Sequence, residues 1–339
     1  MRKASALIAL SFVLTACGSA SSDETTTSKA SVATTATVPV AVVTERSSYA
    51  VGVRRETYVD TSRVTDANGD FKGAPERTLD TVIWYPALGD LVIEQELVKG
   101  TADAEIDAEH GPYPLIVLSH GWTANPDVYA VLGRTWASAG YVVVAPAYPL
   151  SNTKAPGGPI IGDVDNQPAD ASFVIDQVLA DEALSAVIDA EHIGAAGHSL
   201  GAITALGLTF AACCVDDRID AAIPMSGVAA MVDYGANYFL GEAIPVLFIH
   251  GTDDDTVPYN ASVDAYGKAA APKAFVTFAK GDHVFPYIGG GVDARRIAFQ
   301  DMTTAWFDRW LKNDEAALDR LRSAVAASDP EASLQEELG

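Results

Sequence analysis

The 339-residue chain predicts an α/β fold, a mostly parallel central sheet with helices on both faces. Two observations carry that prediction. Short, near-continuous Val/Ile/Leu runs such as Leu115–Leu118, Tyr141–Ala145 and Val246–Ile249 alternate with helix-like segments, and strands buried on both faces lose the apolar/polar alternation of a half-solvated sheet. Polar, glycine-bearing motifs also follow directly on the C-terminal ends of several of these runs, which is where open α/β sheets place their ligands.

Taken from the N-terminus, Arg2 and Lys3 precede an apolar run from Ala4 to Leu14. Such a run is too short for a membrane span and reads as an export signal. Leu14-Thr15-Ala16-Cys17 follows at once and resembles a bacterial lipobox, which implies a signal peptide over 1–16, a lipid-modified Cys17 and a protein held at the cell envelope; an ordinary secretory signal is the alternative. Residues 17–45 are rich in Ser, Thr, Ala and Val with little to pack, the composition of a flexible tether. A catalytic domain is expected over 46–312. Within it Tyr49–Tyr58 and Thr78–Tyr85 read as strands, Lys99–His110 as an exposed acidic loop, and Asp127–Ala139 and Ala169–Leu184 as helices. Ile193–Ala196 is a strand, Ala202–Ala212 a helix, Ala221–Ile223, Val246–Ile249 and Phe275–Phe278 further strands, and Val292–Leu311 a closing helix whose Trp306, Phe307, Trp310 and Leu311 form an apolar face. Residues 313–339 are charged and read as a peripheral acidic tail.

Composition narrows the partners. The chain carries 45 acidic against 22 basic residues, a formal charge of −23, which disfavours nucleic acid and anionic surfaces. Apart from Cys17 only the adjacent Cys213 and Cys214 remain, so there is no disulfide framework of the small-secreted-domain kind. The pair reads either as a vicinal bridge or as two thiols at a helix end.

Four polar constellations fall at predicted strand ends: Ser119-His120-Gly121-Trp122, Gly197-His198-Ser199-Leu200-Gly201, His250-Gly251-Thr252-Asp253-Asp254-Asp255, and Gly281-Asp282-His283. The second is a GxSxG run between a strand and a helix, the context of a nucleophile elbow. Serine, then acid, then histidine is the chain order of a hydrolase triad on this topology. An alcohol attacks an ester at neutral pH only beside a base, and His283 is the candidate. His120 and His250 precede glycines and read as loop braces, while His198 is committed beside the serine. Among the acids Asp253, Asp254 and Asp255 only one can point inward, and Asp282 is a local alternative. The Leu200 N–H at the helix start is a candidate oxyanion donor. Asp163, Asp165 and Asp170 could ligate a cation but read more simply as helix-capping, water-facing acids, and Gly289-Gly290-Gly291 as a hinge.

Together these motifs, with Val82-Ile83-Trp84-Tyr85-Pro86 and Pro114 to Gly121, resemble the α/β-hydrolase superfamily, nearest its serine esterase branch of plasma-type platelet-activating-factor acetylhydrolases, cutinase-like polyester hydrolases and dienelactone-hydrolase-like proteins. Ser199 departs from the cysteine nucleophile of true dienelactone hydrolases. The resemblance implies Asp254 as the triad acid and the Trp122 N–H as the second oxyanion donor. It further implies a carboxylic-ester hydrolase working through an acyl-enzyme with no metal or organic cofactor, on a small ester or a lipid ester. A phospholipase-type esterase and a polyester hydrolase are the alternatives, and an inactive lipoprotein binding module is the non-enzymatic one. Oligomeric state is not readable from the chain.

Overall fold

The computed structural model describes residues 48–230, 237–289, 293–328 and 330–338. The expected signal segment, Cys17, the tether 17–45, and Gly290 and Gly291 of the glycine run lie outside them.

In chain order the elements are β1 (Ala50–Asp60), β2 (Arg77–Ala87), a small hairpin of β3 (Ile93–Glu94) and β4 (Leu97–Val98), β5 (Gly100–Ala102), β6 (Tyr113–Ser119), α1 (Ala130–Ser138), β7 (Val142–Ala147), α2 (Gln167–Ala180), α3 (Glu182–Ser185), β8 (Ile188–His198), α4 (Leu200–Phe210), β9 (Ile219–Met225), β10 (Val246–Gly251), α5 (Tyr259–Lys268), β11 (Lys273–Phe278), α6 (Ala294–Leu311), α7 (Ala317–Ala327) and β12 (Ala332–Glu337). Among the described residues ten strands form one sheet in the order β12-β11-β10-β9-β8-β6-β7-β2-β1-β5. The run from β7 through β6 and β8 to β11 is parallel, while β2 is antiparallel to both neighbours and β12 to β11. This is the expected α/β fold with a mixed, mostly parallel sheet.

Side-chain alternation decides which helices cover which face. Ile116 and Leu118 of β6, with Leu247 and Ile249 of β10, pack with Leu132 and Trp136 of α1, Phe299 and Trp306 of α6 and Leu321 of α7. Leu115 and Val117, the alternate positions of β6, meet Val174 and Ile175 of α2 and Leu208 of α4, and Val246 and Phe248 meet Ala265 and Tyr266 of α5. Both faces are therefore dry, which is why these strands read as continuous apolar runs. The sheet order reverses at β6, with β7 on one side and β8 on the other, so the crevice above their C-terminal ends is the expected ligand position.

Several expectations change. The segment 313–339 is not peripheral. Leu321 and Val325 of α7 join the core, and β12 pairs with β11 in a register that sets Leu334 against Val276. An edge strand has one solvated side, and the glutamates of β12 are the charge expected on such an edge. Within the stretch expected as an exposed loop, β5 pairs in parallel with β1 and Asp107 is buried. The helix predicted over Ala169–Leu184 breaks at Asp181, whose backbone is extended and whose carboxylate accepts from the N–H groups of Ala183 and Leu184, capping α3. Asp163 and Asp170 are neither helix caps nor water-facing. Both are buried against Arg77, with Asp170 2.7 Å from Nε and Asp163 3.0 Å from Nη2, so the guanidinium takes the place a cation would have held. Cys213 and Cys214 are bonded to each other.

Candidate active site

The elbow between β8 and α4 is built by its glycines. A Cβ on Gly197 would lie 2.0 Å from the carbonyl oxygen of Gly201, and one on Gly201 would lie 2.1 Å from that of Ser119. Backbone atoms cannot yield at such distances, so only glycine lets α4 begin hard against β8 and β6. Ser199 itself has φ 57° and ψ −119°, a conformation that costs a non-glycine residue free energy and is typical of functional positions. Its N–H donates to the carbonyl of Met225 at the end of β9, which holds the turn while leaving the side chain partly exposed.

Three side chains from three strand ends meet there. Ser199 Oγ lies 2.8 Å from His283 Nε2, and His283 Nδ1 lies 2.7 Å from Asp254 Oδ2. The carboxylate can only accept, so Nδ1 carries the proton and Nε2 faces the serine hydroxyl as an acceptor. Asp254 is buried, and burial by itself pushes its carboxyl up. Hydrogen bonds from His283 and from the backbone N–H groups of Val257 and Thr256 outweigh that and hold it below the ordinary carboxylate range. Its neighbours Asp253 and Asp255 are exposed. Asp282 turns away to accept from the N–H groups of Val284 and Phe285. The loop thus resolves four sequence candidates to one inward acid.

His120, His250 and His198 are buried braces. Tyr148 N–H donates to His120 Nε2 and His120 Nδ1 donates to the Gly121 carbonyl, tying the loop after β6 to that after β7; burial lowers its pKa to about 4. His250 Nε2 faces Asp254 Oδ2 and the Val257 carbonyl, each at 3.0 Å. Both are acceptors, so His250 is a second donor to the oxygen that receives His283. His198 lies under the elbow, its Nε2 2.6 Å from the His283 carbonyl and its Nδ1 2.9 Å from Tyr129 Oη. Tyr129 was legible only as part of a predicted helix, and nothing in the sequence singled it out.

Gly121 packs so closely on the elbow that a Cβ there would be 3.2 Å from Ser199 Cβ, and Trp122 is the next residue in the chain. Leu200 opens α4, where helix N–H groups lack intrahelical partners. Among the described residues no hydrogen bond occupies the N–H of Trp122 or of Leu200, whereas the Gly121 N–H is taken by Tyr129 Oη. Two apolar side chains adjacent in sequence to site residues are exposed, Trp122 at 46% and Val284 at 50%. No group of metal-ligating side chains occurs among the described residues.

A serine hydroxyl, an imidazole and a carboxylate linked in series above the C-terminal edge of a parallel sheet define a serine hydrolase of the α/β-hydrolase class. Within that class, the PET hydrolase-like (PETase) family model matches residues 100–333, and the chain belongs to that family. It is a carboxylic-ester hydrolase. A solved structure of a ferulic acid esterase from Streptomyces cinnamoneus superposes with a TM-score of 0.64, at 24% identity over 88% of this chain and 99% of that one, a likeness of fold. No curated protein matches the chain in sequence.

Proposed function

We propose that Ser199, His283 and Asp254 are the nucleophile, general base and orienting acid of ester hydrolysis, with the N–H groups of Leu200 and Trp122 as the oxyanion hole. The observation that carries this is the hydrogen-bonded series Ser199 Oγ, His283 Nε2, His283 Nδ1, Asp254 Oδ2. Nε2 takes the hydroxyl proton as Oγ attacks the ester carbonyl, and Asp254 stabilises the resulting imidazolium. The oxyanion then meets two preorganised donors; one such donor is typically worth about 3 kcal/mol in the transition state. Collapse returns the proton from Nε2 to the leaving alcohol and leaves an acyl-Ser199 ester. Water, deprotonated by the same Nε2, attacks that ester, and collapse returns the proton from Nε2 to Ser199 Oγ as the acid is released. Every proton is accounted for by groups of this chain.

The substrate reading is an ester presented at an accessible surface, with an aromatic polyester as the favoured extended form. The exposed Trp122 and Val284, adjacent in sequence to site residues, and the family match support it over a lipid ester. A panel of p-nitrophenyl acetate and butyrate, a short-chain phosphatidylcholine and a poly(ethylene terephthalate) film tests it. Turnover of the simple esters with release of acid from the film is expected; preferential hydrolysis of the phospholipid would replace the polyester reading with the phospholipase one.

The location reading is an exported protein held at the membrane through lipidated Cys17, supported by the basic start, the apolar run and Leu14-Thr15-Ala16-Cys17. More than one acyl chain is needed for lasting attachment, which a diacylglyceryl cysteine supplies. Wild type should partition into detergent with the added lipid mass and Cys17→Ser should not. An aqueous, unlipidated wild type would remove the anchor and leave the esterase untouched.

A further inference from the structure

We infer that His198 and Tyr129 are positioning residues that hold the general base in register with the oxyanion loop, through one buried chain of hydrogen bonds running beneath Ser199. The inference rests on the reading of Ser199, His283 and Asp254 given above.

The chain has four members whose polarity is forced at every step. The carbonyl of His283 can only accept, so His198 Nε2, 2.6 Å away, carries a proton. The N–H of Gly121 can only donate, and it points at Tyr129 Oη at 3.1 Å. The phenol therefore spends a lone pair on Gly121 and must place its own proton elsewhere; His198 Nδ1, at 2.9 Å, is the acceptor it meets. His198 is thus the neutral Nε2–H tautomer. Its burial agrees, disfavouring the cation and lowering its pKa to about 3. The ring is fixed from the side as well, stacked on Tyr287 with centroids 5.0 Å apart and lying 4.9 Å from the His283 ring.

What this chain joins matters more than its length. Gly121 is the residue before Trp122, and the His283 carbonyl belongs to the residue whose imidazole serves Ser199. The loop after β6 and the loop after β11 are distant in sequence, and the triad hydrogen bonds do not fix one against the other. His198, on the strand that carries the nucleophile, does so from below. Binding the Gly121 N–H to Tyr129 also removes it from competition for the oxyanion and leaves the Trp122 N–H as the donor on that loop. His283 is located twice, through its ring by Asp254 and through its carbonyl by His198.

Tyr129→Phe, His198→Leu, His198→Gln and the double variant Tyr129→Phe/His198→Leu test this with a p-nitrophenyl ester, well below each protein's melting temperature. Tyr129→Phe should lower kcat by about ten- to hundredfold and His198→Leu by at least a hundredfold, with KM within about twofold. The double variant should be no slower than His198→Leu, because both changes cut one chain. His198→Gln, whose amide can donate to His283 and accept from Tyr129, should recover kcat to within about tenfold of wild type, and the low-field His283 Nδ1 proton resonance, moved in Tyr129→Phe, should return to place in it. Wild-type kcat in folded Tyr129→Phe, or an unshifted His283 resonance in that variant, would overturn the inference. So would multiplying effects in the double variant. If His198→Leu does not fold, Tyr129→Phe and His198→Gln still decide. Ser199→Ala runs beside them: its turnover bears on the triad reading alone, and an inactive Ser199→Ala with a fully active Tyr129→Phe would reject only the positioning role.

Discussion

At the scale of single residues, the proposed roles separate groups that react from groups that hold them. Ser199→Ala removes the hydroxyl that faces His283 Nε2 while the small side chain still fits the elbow. Ester turnover should fall by at least three orders of magnitude with the melting temperature nearly unchanged, and a fluorophosphonate probe should no longer label the protein. Asp254 offers a sharper contrast because its neighbours are chemically identical. Asp254→Asn should cost a factor of about 10⁴ in kcat, since an amide cannot enforce the Nδ1–H tautomer of His283. Asp253→Asn and Asp255→Asn, both exposed, should stay within about tenfold of wild type. Loss of activity in either of those, with Asp254→Asn active, would move the acid. Asp254 was reached in the sequence only through family spacing: three consecutive aspartates have the same composition, and which one is buried depends on the backbone of a loop. His250 was legible as a brace, but its target, the carboxylate oxygen shared with His283, was not, because that contact depends on where the loop returns.

At the scale of elements, the last thirty residues carry more than their composition suggests. A chain ending after Lys312 would lose α7 and β12, with buried Leu321 and Val325, each worth roughly 1.5–3 kcal/mol. It would also expose the ladder of β11, including the bond from Ala279 N–H to the Glu331 carbonyl just ahead of the His283 loop. The truncated protein should be insoluble or melt at least 10 °C below the full chain by differential scanning calorimetry. An unchanged transition would restore the reading of a peripheral tail. The misreading has a physical cause. A strand covered on both faces advertises itself as an apolar run, but an edge strand with one wet side, preceded by a charged helix, looks like any solvated segment. For the same reason β1, β2 and β6 to β11 were found at or near their observed positions, while β3, β4, β5 and β12, short or at an edge, were not.

At the scale of the whole molecule, the buried neutral histidines make folding sensitive to acid. His120 and His198 have folded pKa values of about 4 and about 3, below the unfolded value of 6.5. Between those limits the unfolded chain binds protons that the folded one does not, so stability is complete above about pH 6.5 and is lost as pH falls through the window toward 4 and 3. The loss should reach about 2 kcal/mol for each histidine by pH 5, and urea midpoints should fall accordingly between pH 8 and pH 5. A flat profile over that range would mean that neither histidine is held neutral in the native state. The class of fold was legible in the chain alone, because burial on two faces must be written as continuous apolar runs. The chain also pointed to Ser199 and its elbow, because a GxSxG run between a strand and a helix is written within a few adjacent residues. Out of reach of the chain alone is everything that depends on loops from different strands meeting: which aspartate faces His283, where Tyr129 points, that Arg77 pairs with Asp163 and Asp170 while Arg63 adds to Asp170, and that the acidic end of the chain adds an edge strand to the sheet. Each is a long-range contact whose partners lie tens of residues apart, and neither periodicity nor composition encodes the distance between them.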